Sequence, residues 1–401
     1  MPTPIAPIRI TAYTATTAAG RGRQRLLEAL RAGRSALTAN DFGPTPLPTW
    51  IGRVAGVESA PLPEALAAWD CRNNRLAWLG LNADGFIEAA LAARDRHGAS
   101  RVALVLGTST SSIGATEDAY RTLDADGRFP AGNRNPLVHT PHSLANFVHE
   151  ALALEGPCLT VSTACSSSAK VFATAERMLR LGLVDAAIVG GVDTLCGSVL
   201  FGFNALQLVS TEPCRPFDAA RNGISIGEAA GFALLERGDA AGESTLRLLG
   251  YGESSDAHHM SSPHPDGVGA RIALEHALAR AGLEPGAIGY VNAHGTASAK
   301  NDEVEAAVLA AMFPATTRAS STKGWTGHTL GAAGIVEATI SLLALEHGFA
   351  PGTLNARELD PACGPQVRID NEDAALEWVA SNSFGFGGNN ATLVFGRGRG
   401  A

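Results

Sequence analysis

The chain has 401 residues and a net charge of −8, with 45% hydrophobic and only 17% charged residues. This composition excludes a disordered chain, and the length fits two or three domains or one large doubled fold. The lack of a basic block in the sequence argues against nucleic-acid binding, which needs broad contact with phosphates.

Targeting and membrane signals are not evident in the sequence. No apolar run reaches the ~18 residues of a spanning helix, and residues 1–13 lack the apolar stretch of a signal peptide. The six cysteines include no CxxC pair, which indicates neither a disulfide framework nor a thiolate metal cluster. We therefore expect a cytoplasmic protein without a membrane span.

In the first half of the chain, the pattern predicts a strand over 8–13, an amphipathic helix over 23–32 and a proline-rich irregular or edge segment over 43–65. A helix over 84–97 and a strand over 101–107 follow. That strand reads RVALVLG. Such a near-continuous apolar run is typical of a sheet covered on both faces, which favours parallel strands.

Residues 157–193 give the clearest unit, a strand, a helix and a second strand that form a β-α-β crossover. The second half repeats the alternation, with strands over 288–295 and 318–323 and helices over 301–313 and 331–347. The last helix is apolar nearly all round, so we expect it to be buried on every face. Residues 378–396 predict a hairpin broken by glycines. The fold class is therefore α/β, with two similar halves, 1–240 and 241–401, joined near 237–246.

Cys165 lies in TACSSSA at the predicted junction of a strand and a helix. The first N–H groups of a helix are unpaired and its dipole is positive there, so this position is expected to lower the pKa of the thiol and supply thiolate at neutral pH. Most free cysteines are small buried hydrophobic residues, and we interpret the other five in that way. Cys165 is the candidate nucleophile.

His294 and His328 each follow a predicted strand and precede glycine or small residues. Side chains at such strand ends collect at one edge of the sheet, where the active sites of α/β folds form. Lys323, at the end of the strand before His328, adds a cation. A single histidine is more often structural, so the inference rests on these residues together.

Four segments, TACSSSA, NAHGTASAKNDEVEA, STKGWTGHTLGAAGIVEA and NSFGFGGNNATLVF, resemble in order and separation the signature segments of β-ketoacyl-acyl carrier protein synthases of the KAS I/II type. The stretch GESSDAHHMSSPHPDG resembles another part of that family. The resemblance implies the thiolase fold, in which two duplicated α/β halves form a five-layer α-β-α-β-α arrangement, usually as a dimer.

The resemblance also implies a reaction. An acyl chain passes from the phosphopantetheine of an acyl carrier protein to Cys165, and malonyl-carrier protein then loses carbon dioxide and attacks the acyl-enzyme in a decarboxylative Claisen condensation. His294 and His328 would stabilise the enolate through their Nε atoms, and the N–H groups of Cys165 and Phe386 would form the oxyanion hole. No metal or other cofactor is implied.

The remaining matches have supporting roles in the family. Phe386 resembles a gating phenylalanine, and Thr296 and Ser298 stand where the family binds pantetheine through two threonine hydroxyls. Lys323 resembles the lysine that orients the histidine region, with an acidic partner at Glu337. The further supporting positions are Asp302, Gly385, Gly387 and Gly388.

Two loops depart from the family pattern. The opening ITAYTATTAAG lacks the glycine-rich first turn, and GTSTSSIG at 107–114 replaces a glycine run. The serine- and threonine-rich loop resembles that of ketosynthases from aryl-polyene pathways, which pair with a chain-length-factor subunit. The partner is accordingly predicted to be a second copy or a chain-length-factor-like ketosynthase.

Other interpretations were weighed against this one. The run GISIG at 223–227 fits the GxSxG motif of serine hydrolases, but a strand rather than a helix is predicted after it. A zinc site is weakly indicated by three histidines whose spacing fits no recognised motif, His139, His142 and His149. A catalytically silent chain-length-factor-like subunit would share the fold, but such proteins characteristically lack the nucleophile.

Carrier proteins are acidic, whereas this chain carries net negative charge. Docking therefore needs a local basic patch, because like charges would otherwise oppose the encounter. The candidates by sequence alone are Arg21, Arg23, Arg31 and Arg34.

Overall fold

In the computed structural model, which describes residues 2–237 and 246–398, a mixed sheet runs through the molecule. The strands in chain order are β1 (Ile8–Thr17), β2 (Gly20–Arg21), β3 (Thr38–Ala39), β4 (Trp50–Gly52), β5 (Val102–Gly107), β6 (Cys158–Val161), β7 (Ala186–Asp193), β8 (Ile226–Gly227), β9 (Ala229–Glu236), β10 (Leu246–Ser255), β11 (Tyr290–Asn292), β12 (Arg318–Ser320), β13 (Phe349–Ala350), β14 (Glu372–Asp373), β15 (Trp378–Gly385) and β16 (Asn389–Arg397).

The helices lie mostly between these strands. In chain order they are α1 (Arg23–Arg31), α2 (Arg72–Leu81), α3 (Phe86–His97), α4 (Ile113–Arg121), α5 (Ser143–Ala151), α6 (Ser167–Arg180), α7 (Gly197–Ala205), α8 (Val268–Ala281), α9 (Ala299–Met312), α10 (Lys323–Thr326) and α11 (Ala333–His347).

The two halves of the sheet have the same topology. The order is β1-β9-β7-β5-β6 in the first half and β10-β16-β15-β11-β12 in the second, and β1 pairs with β10 to join them. In each half the first two pairings are antiparallel and the last two are parallel. The predicted duplication is confirmed.

The expectation of parallel pairing is confirmed for β5, the strand from which it was made, because β5 is parallel to both β6 and β7. It was wrong for the sheet as a whole, because antiparallel strands take part in both halves. The antiparallel strand β9 is buried along its whole length, as β5 is. A continuous apolar run therefore indicates that both faces are covered and leaves the strand direction open.

The helices and the sheet form five layers. Helices α6 and α11 pack against each other and against strands of both halves, so they form the central layer. The outer face of the first half is covered by α2, α3 and α5, and that of the second half by α8 and α9. This arrangement agrees with the predicted α-β-α-β-α order.

Helix α11 is the central helix predicted to be buried on every face, and this prediction is confirmed. Every residue from Ala333 to Leu345 is buried. The segment Leu330–His347 is long and apolar enough by composition to cross a membrane, with a mean hydropathy of 1.3, but 89% of it is buried inside the protein. Its apolar surface is covered by packing against the rest of the chain.

Element boundaries differ from prediction at few places. The helix predicted over 84–97 begins at Phe86, because Asp84 and Gly85 have positive φ values of 56° and 70°, which a helix does not accept. Residues 157–193 form the predicted strand, helix and strand, although β5 lies between β6 and β7 in the sheet. The proposed boundary at 240/241 lies outside the described residues.

Candidate active site

Cys165 lies in a tight turn between β6 and α6, where Ala164 adopts a positive φ of 52°. Two strand-end glycines allow this turn and the start of α6 to approach the sheet. A Cβ atom at Gly107 would lie 2.4 Å from the Ser168 nitrogen, and one at Gly191 would lie 2.6 Å from the Ser168 Cβ. The thiol is consequently held at the junction of strand and helix with only 4% of the residue exposed.

His328 faces this thiol from the second half of the chain. Its backbone N–H donates to the Ser225 carbonyl at 2.7 Å, and its own carbonyl accepts from the Gly227 N–H at 2.9 Å. These two bonds fix the loop that carries the imidazole. The Nε2 atom lies 3.0 Å from the Cys165 sulfur, within range of a proton transfer between the two groups.

His294 follows β11 and is the third functional side chain of the site, beside Cys165 and His328. Its ring centroid lies 5.3 Å from that of His328, with the rings nearly perpendicular at 87°. The backbone N–H groups of His294 and Gly295 donate to the two carboxylate oxygens of Glu305 at 2.9 and 2.7 Å. The loop is thus anchored by a buried side chain of α9.

Lys323 links His294 to α11. Its Nζ donates to the Glu337 carboxylate and to the His294 carbonyl, and it lies 3.3 Å from His294 Nδ1. An ammonium group only donates hydrogen bonds, so Nδ1 is the acceptor and the neutral ring carries its proton on Nε2. Burial raises the pKa of Glu337 to about 7, an effect that Lys323 opposes.

The electrostatics of the site differ from the prediction for the thiol. Burial raises the pKa of Cys165 to about 12, and the charge of Lys323 and the N–H of Phe386 only partly oppose this. The predicted lowering by the start of the helix was wrong, because desolvation of the thiolate outweighs the helix end. Burial and Lys323 also hold the pKa of both histidines well below 6.5. The resting site is therefore neutral at Cys165, His294 and His328.

The glycine-rich turn between β15 and β16 closes over the thiol. The backbone N–H of Phe386 is directed at the Cys165 sulfur, and a Cβ atom at Gly385 would lie 3.2 Å from the Cys165 nitrogen. Gly387 and Gly388 have positive φ values of 76° and 71°. The structure thus brings both predicted oxyanion-hole donors to one place.

The Phe386 ring stacks on Phe203 of α7, with centroids 5.4 Å apart. Both rings line a cavity of about 310 Å³ that contains Cys165, His294 and His328. Thr296 and Ser298 line the same cavity, and their hydroxyl oxygens are 2.8 Å apart. The cavity is therefore a single chamber with a nucleophile, two imidazoles and a hydroxyl pair on its walls.

Asp302 lies behind this wall and does not contact Lys323 directly. Its carboxylate accepts from the backbone N–H groups of Phe217 at 2.8 Å and Ala297 at 3.1 Å. It therefore holds the segment that carries Thr296 and Ser298. This placement is consistent with the supporting role predicted for it, because Asp302 acts through the backbone next to the cavity and does not bond the histidines themselves.

Two structural acids were missed from the sequence. Glu305 holds the His294 loop. The Asp193 carboxylate accepts hydrogen bonds from the Thr108 hydroxyl and from the backbone N–H groups of Ser109, Thr110 and Gly331. Asp193 thereby ties the ends of β5 and β7 to the segment just before α11. Asp302 and Glu305 are three residues apart on α9, and this spacing places both on one helix face. That spacing is the signal that could have identified Glu305.

The serine-hydrolase and three-histidine zinc interpretations find no support in the geometry. Ser225 is fully buried and its Oγ accepts from the Cys214 N–H at 3.0 Å, and strand β9 follows it. His139 bonds Thr116 and His149 bonds the Gly156 carbonyl. In the described ranges, one group of side chains is arranged so that it could hold a metal ion, and it does not include these histidines. It consists of Cys165, His294 and His328, whose sulfur and ring nitrogen atoms lie within 4.8 Å of one another.

The predicted basic patch does not border the cavity. Arg23 pairs with Asp84 at 3.8 Å and lies over the Tyr13 ring, and Arg31 lies over Phe349. The cations among the described lining residues are Arg221 and Lys300. The Arg221 side chain is 7% exposed and bonds Asp360, so a partner that delivers substrate to the cavity would meet Lys300, which is 74% exposed, rather than the arginines around α1.

Comparison with known proteins places this geometry in context. Residues 75–241 match the family model described as beta-ketoacyl synthase, N-terminal domain, and residues 246–357 match the corresponding C-terminal domain. The chain is 40% identical over 260 residues to the mitochondrial 3-oxoacyl-[acyl-carrier-protein] synthase of Arabidopsis thaliana, covering 60% of this chain and 56% of that relative. It therefore spans little more than half the length of that protein.

Two further comparisons cover more of the chain. Identity to the 3-oxoacyl-[acyl-carrier-protein] synthase 2 of Vibrio cholerae is 33% over 320 residues, which is 75% of this chain and 76% of the relative. Among solved structures, the ketosynthase ApeO in complex with its chain length factor ApeC from Xenorhabdus doucetiae superposes with a TM-score of 0.88 and 36% identity, covering 98% of both chains.

Proposed function

Because the chain belongs to the β-ketoacyl synthase family of condensing acyltransferases, we propose that it joins a Cys165-bound acyl group to malonyl-acyl carrier protein with loss of carbon dioxide. The observation that carries this proposal is the 3.0 Å contact between the Cys165 sulfur and His328 Nε2 inside the chamber shared with His294. The product is a 3-oxoacyl chain of fatty acid or polyketide synthesis.

Acyl transfer is the first half of the reaction. The Cys165 sulfur attacks the thioester carbonyl of the incoming acyl group, and the thiol proton passes to His328 Nε2, which the low pKa of this histidine keeps unprotonated at neutral pH. The tetrahedral oxyanion is stabilised by the backbone N–H groups of Cys165 and Phe386. The carrier thiolate leaves and takes the proton, so no net proton is consumed.

Condensation is the second half. The carbon–carbon bond to the malonyl carboxylate breaks, carbon dioxide leaves, and negative charge develops on the thioester oxygen. His294 meets this charge with the Nε2 proton that its Lys323 contact specifies. The enolate carbon attacks the acyl-enzyme carbonyl, the Cys165 thiolate leaves, and one proton taken up from solvent restores the thiol.

The alternative is a catalytically silent subunit like a chain length factor. The assembled Cys165–His328 pair argues against it, because a subunit that only shapes a pocket does not need a proton acceptor 3.0 Å from a buried thiol. Intact mass spectrometry after incubation with acyl-carrier proteins tests the choice. A mass increase of one acyl group, absent in Cys165→Ala, supports the enzyme, and no increase with any chain supports the silent subunit.

We propose a dimer in which a partner covers the face around β6. This strand is at the edge of the sheet, so its free backbone groups are available for pairing. Leu159 of β6 is 40% exposed, and large apolar side chains are also exposed on α4 and α7, with Tyr120 at 61% and Phe201 at 48%. Either a second copy or a chain-length-factor-like ketosynthase fits, and the likeness to ApeO, solved with ApeC, favours the heterodimer.

The serine- and threonine-rich loop at 107–114, together with the likeness to ApeO, supports an aryl-polyene or related polyketide pathway as the finer proposal. The cytoplasmic location stays a prediction. Comparing Cys165 loading by saturated, polyunsaturated and aryl-ended chains tests the pathway, since preference for ordinary saturated chains would contradict it.

Acyl carrier protein is proposed to dock at the cavity mouth. Lys300→Glu there should raise KM for the carrier protein and leave a small thioester mimic unaffected.

A further inference from the structure

A second and larger cavity lies beyond α7, on the side away from Cys165. Its volume is about 680 Å³, and its walls come from the first turn of α2, from α4, from the segment 132–139 and from the start of α7. None of the residues assigned above to the reaction lines it. The cavity is therefore a distinct chamber within the described part of the molecule.

Only an apolar layer separates the two chambers. Leu200 of α7 lines the second cavity, and Phe203, one turn further on, lines the first. Ile224, on the wall of the first cavity, packs in one cluster with Leu195 and Leu200, which line the second. An apolar chain that starts at Cys165 would meet aliphatic side chains throughout this layer before it reached the second chamber.

The second chamber is polar and its charges are paired internally. Arg72 bonds Glu58, Arg75 bonds Asp70, and Arg121 bonds Asp118 at 2.6 Å. Glu117 accepts from the Gly197 and Ser198 N–H groups at the start of α7. A charged ligand group would compete with these ion pairs, whereas a neutral polar group would leave them intact. The chamber therefore fits a ligand that ends in a neutral polar group.

One polar group in the chamber wall lacks a partner. Asn73 is 1% exposed and its Nδ2 has no hydrogen-bond acceptor, while its Oδ1 accepts from Thr194 Oγ1 at 3.4 Å. A buried amide N–H without an acceptor is costly and is usually satisfied. Asn73 is therefore a donor available for an acceptor atom brought in by a ligand.

We propose that this second chamber holds the far end of the acyl chain on Cys165, and that Asn73 selects chains ending in a neutral hydrogen-bond acceptor, such as a hydroxyl, over chains ending in methyl. The inference rests on the proposed function, because it takes Cys165 as the point where the chain is attached. Asn73 acts here as a specificity residue, remote from the reacting atoms.

The test compares two acyl-carrier proteins whose saturated chains have equal length and differ only in a terminal hydroxyl or methyl. Intact mass spectrometry follows the rate of Cys165 loading in the full-length protein. Wild type should load the hydroxyl-ended chain about tenfold faster, as expected when a buried donor is otherwise unpaired. Asn73→Leu should lose this preference, and the exposed control Asn82→Leu, just after the end of the same helix, should keep it.

The rate ratio is measured within each variant, so it does not depend on the amount of folded protein. Asn73→Ala, which is smaller and has no donor, should also lose the preference if Asn73→Leu fails to fold. Equal loading of both chains by wild type, or a preference retained in both variants, would overturn this inference alone. Loading by neither chain would instead overturn the proposed function.

Discussion

The Nζ atom of Lys323 lies 3.3 Å from Nδ1 of His294, and the same ammonium bonds the carboxylate of Glu337. This contact sets which nitrogen of the neutral imidazole carries the proton, because the ammonium can only donate. The proton is thereby directed into the chamber that holds Cys165. Four predictions follow from this and the neighbouring contacts.

Replacing Lys323 separates the two halves of the reaction. In Lys323→Met the proton of His294 is no longer directed to Nε2, so decarboxylation of malonyl-carrier protein should fall by roughly 10²-fold, while acyl loading of Cys165 persists. Carbon dioxide release and intact mass report the two steps. The pair Lys323→Met with Glu337→Leu should recover stability, since no charge stays buried alone, without recovering decarboxylation. Equal loss of both steps in the folded variant would contradict this assignment.

Glu305 makes stability depend on pH. Burial raises its pKa from 4.5 to about 7, so between these values the folded chain holds a proton that the unfolded chain has lost. Its contribution to stability is full below about pH 4.5 and is lost as pH rises to about 7, by roughly 3 kcal/mol. The lowered pKa values of His294 and His328 act in the opposite sense.

The contribution of Glu305 is therefore measured as a difference. The free energy of unfolding of wild type minus that of Glu305→Gln should decrease from about pH 4.5 to about pH 7 in denaturant titrations. A difference for Glu305→Gln that is flat or rises would show that this carboxyl is ionised throughout.

The buried thiol predicts an unusual alkylation profile. Because burial raises the pKa of Cys165 to about 12, the resting thiol is protonated at neutral pH, and His328 accepts its proton only as the sulfur attacks an electrophile. In His328→Phe, alkylation of Cys165 by iodoacetamide should be slow at pH 7 and should rise about tenfold per pH unit through pH 10. Peptide mapping identifies the alkylated cysteine. A plateau near pH 8 to 9 would indicate an ordinary thiol.

The turn after Phe386 requires glycine. Gly388 has a φ of 71°, and a Cβ there would lie 2.6 Å from the Cβ of Asp256. Gly388→Ala should therefore displace the turn, slow acyl transfer and lower stability by about 2 kcal/mol or more. Gly202→Ala is the control, because a Cβ on this residue of α7 meets nothing within 4 Å. It should raise stability by roughly 0.5–1 kcal/mol, and thermal unfolding distinguishes the two.

Local patterns in the sequence were sufficient for the elements that carry the site. The apolar strand and amphipathic helix around Cys165, the buried helix α11 and the hairpin of β15 and β16 all appear at the predicted places. The doubled α/β order was also predictable, because each half repeats its alternation of strands and helices. Strand direction was not predictable, since β5 and β9 have equally apolar sequences and opposite directions.

The features that sequence reasoning missed depend on contacts between distant segments. The pKa of Cys165 follows from burial under the Phe386 turn, more than two hundred residues away, which a local helix-end argument does not contain. The anchoring role of Glu305 depends on where α9 packs relative to the His294 loop. Arg23 is paired with Asp84 and Arg31 lies over the Phe349 ring because of chain segments that the sequence does not show to be close.

A single-turnover experiment tests most directly whether Cys165, His294 and His328 act in one chamber. Enzyme acylated on Cys165 is isolated and mixed with malonyl-carrier protein in the absence of other enzymes. The account predicts that the acyl group leaves Cys165 as carbon dioxide is released, and that the carrier protein gains a 3-oxoacyl chain one acetate unit longer. Acyl groups that stay on Cys165, or are released only as free acid, would contradict it.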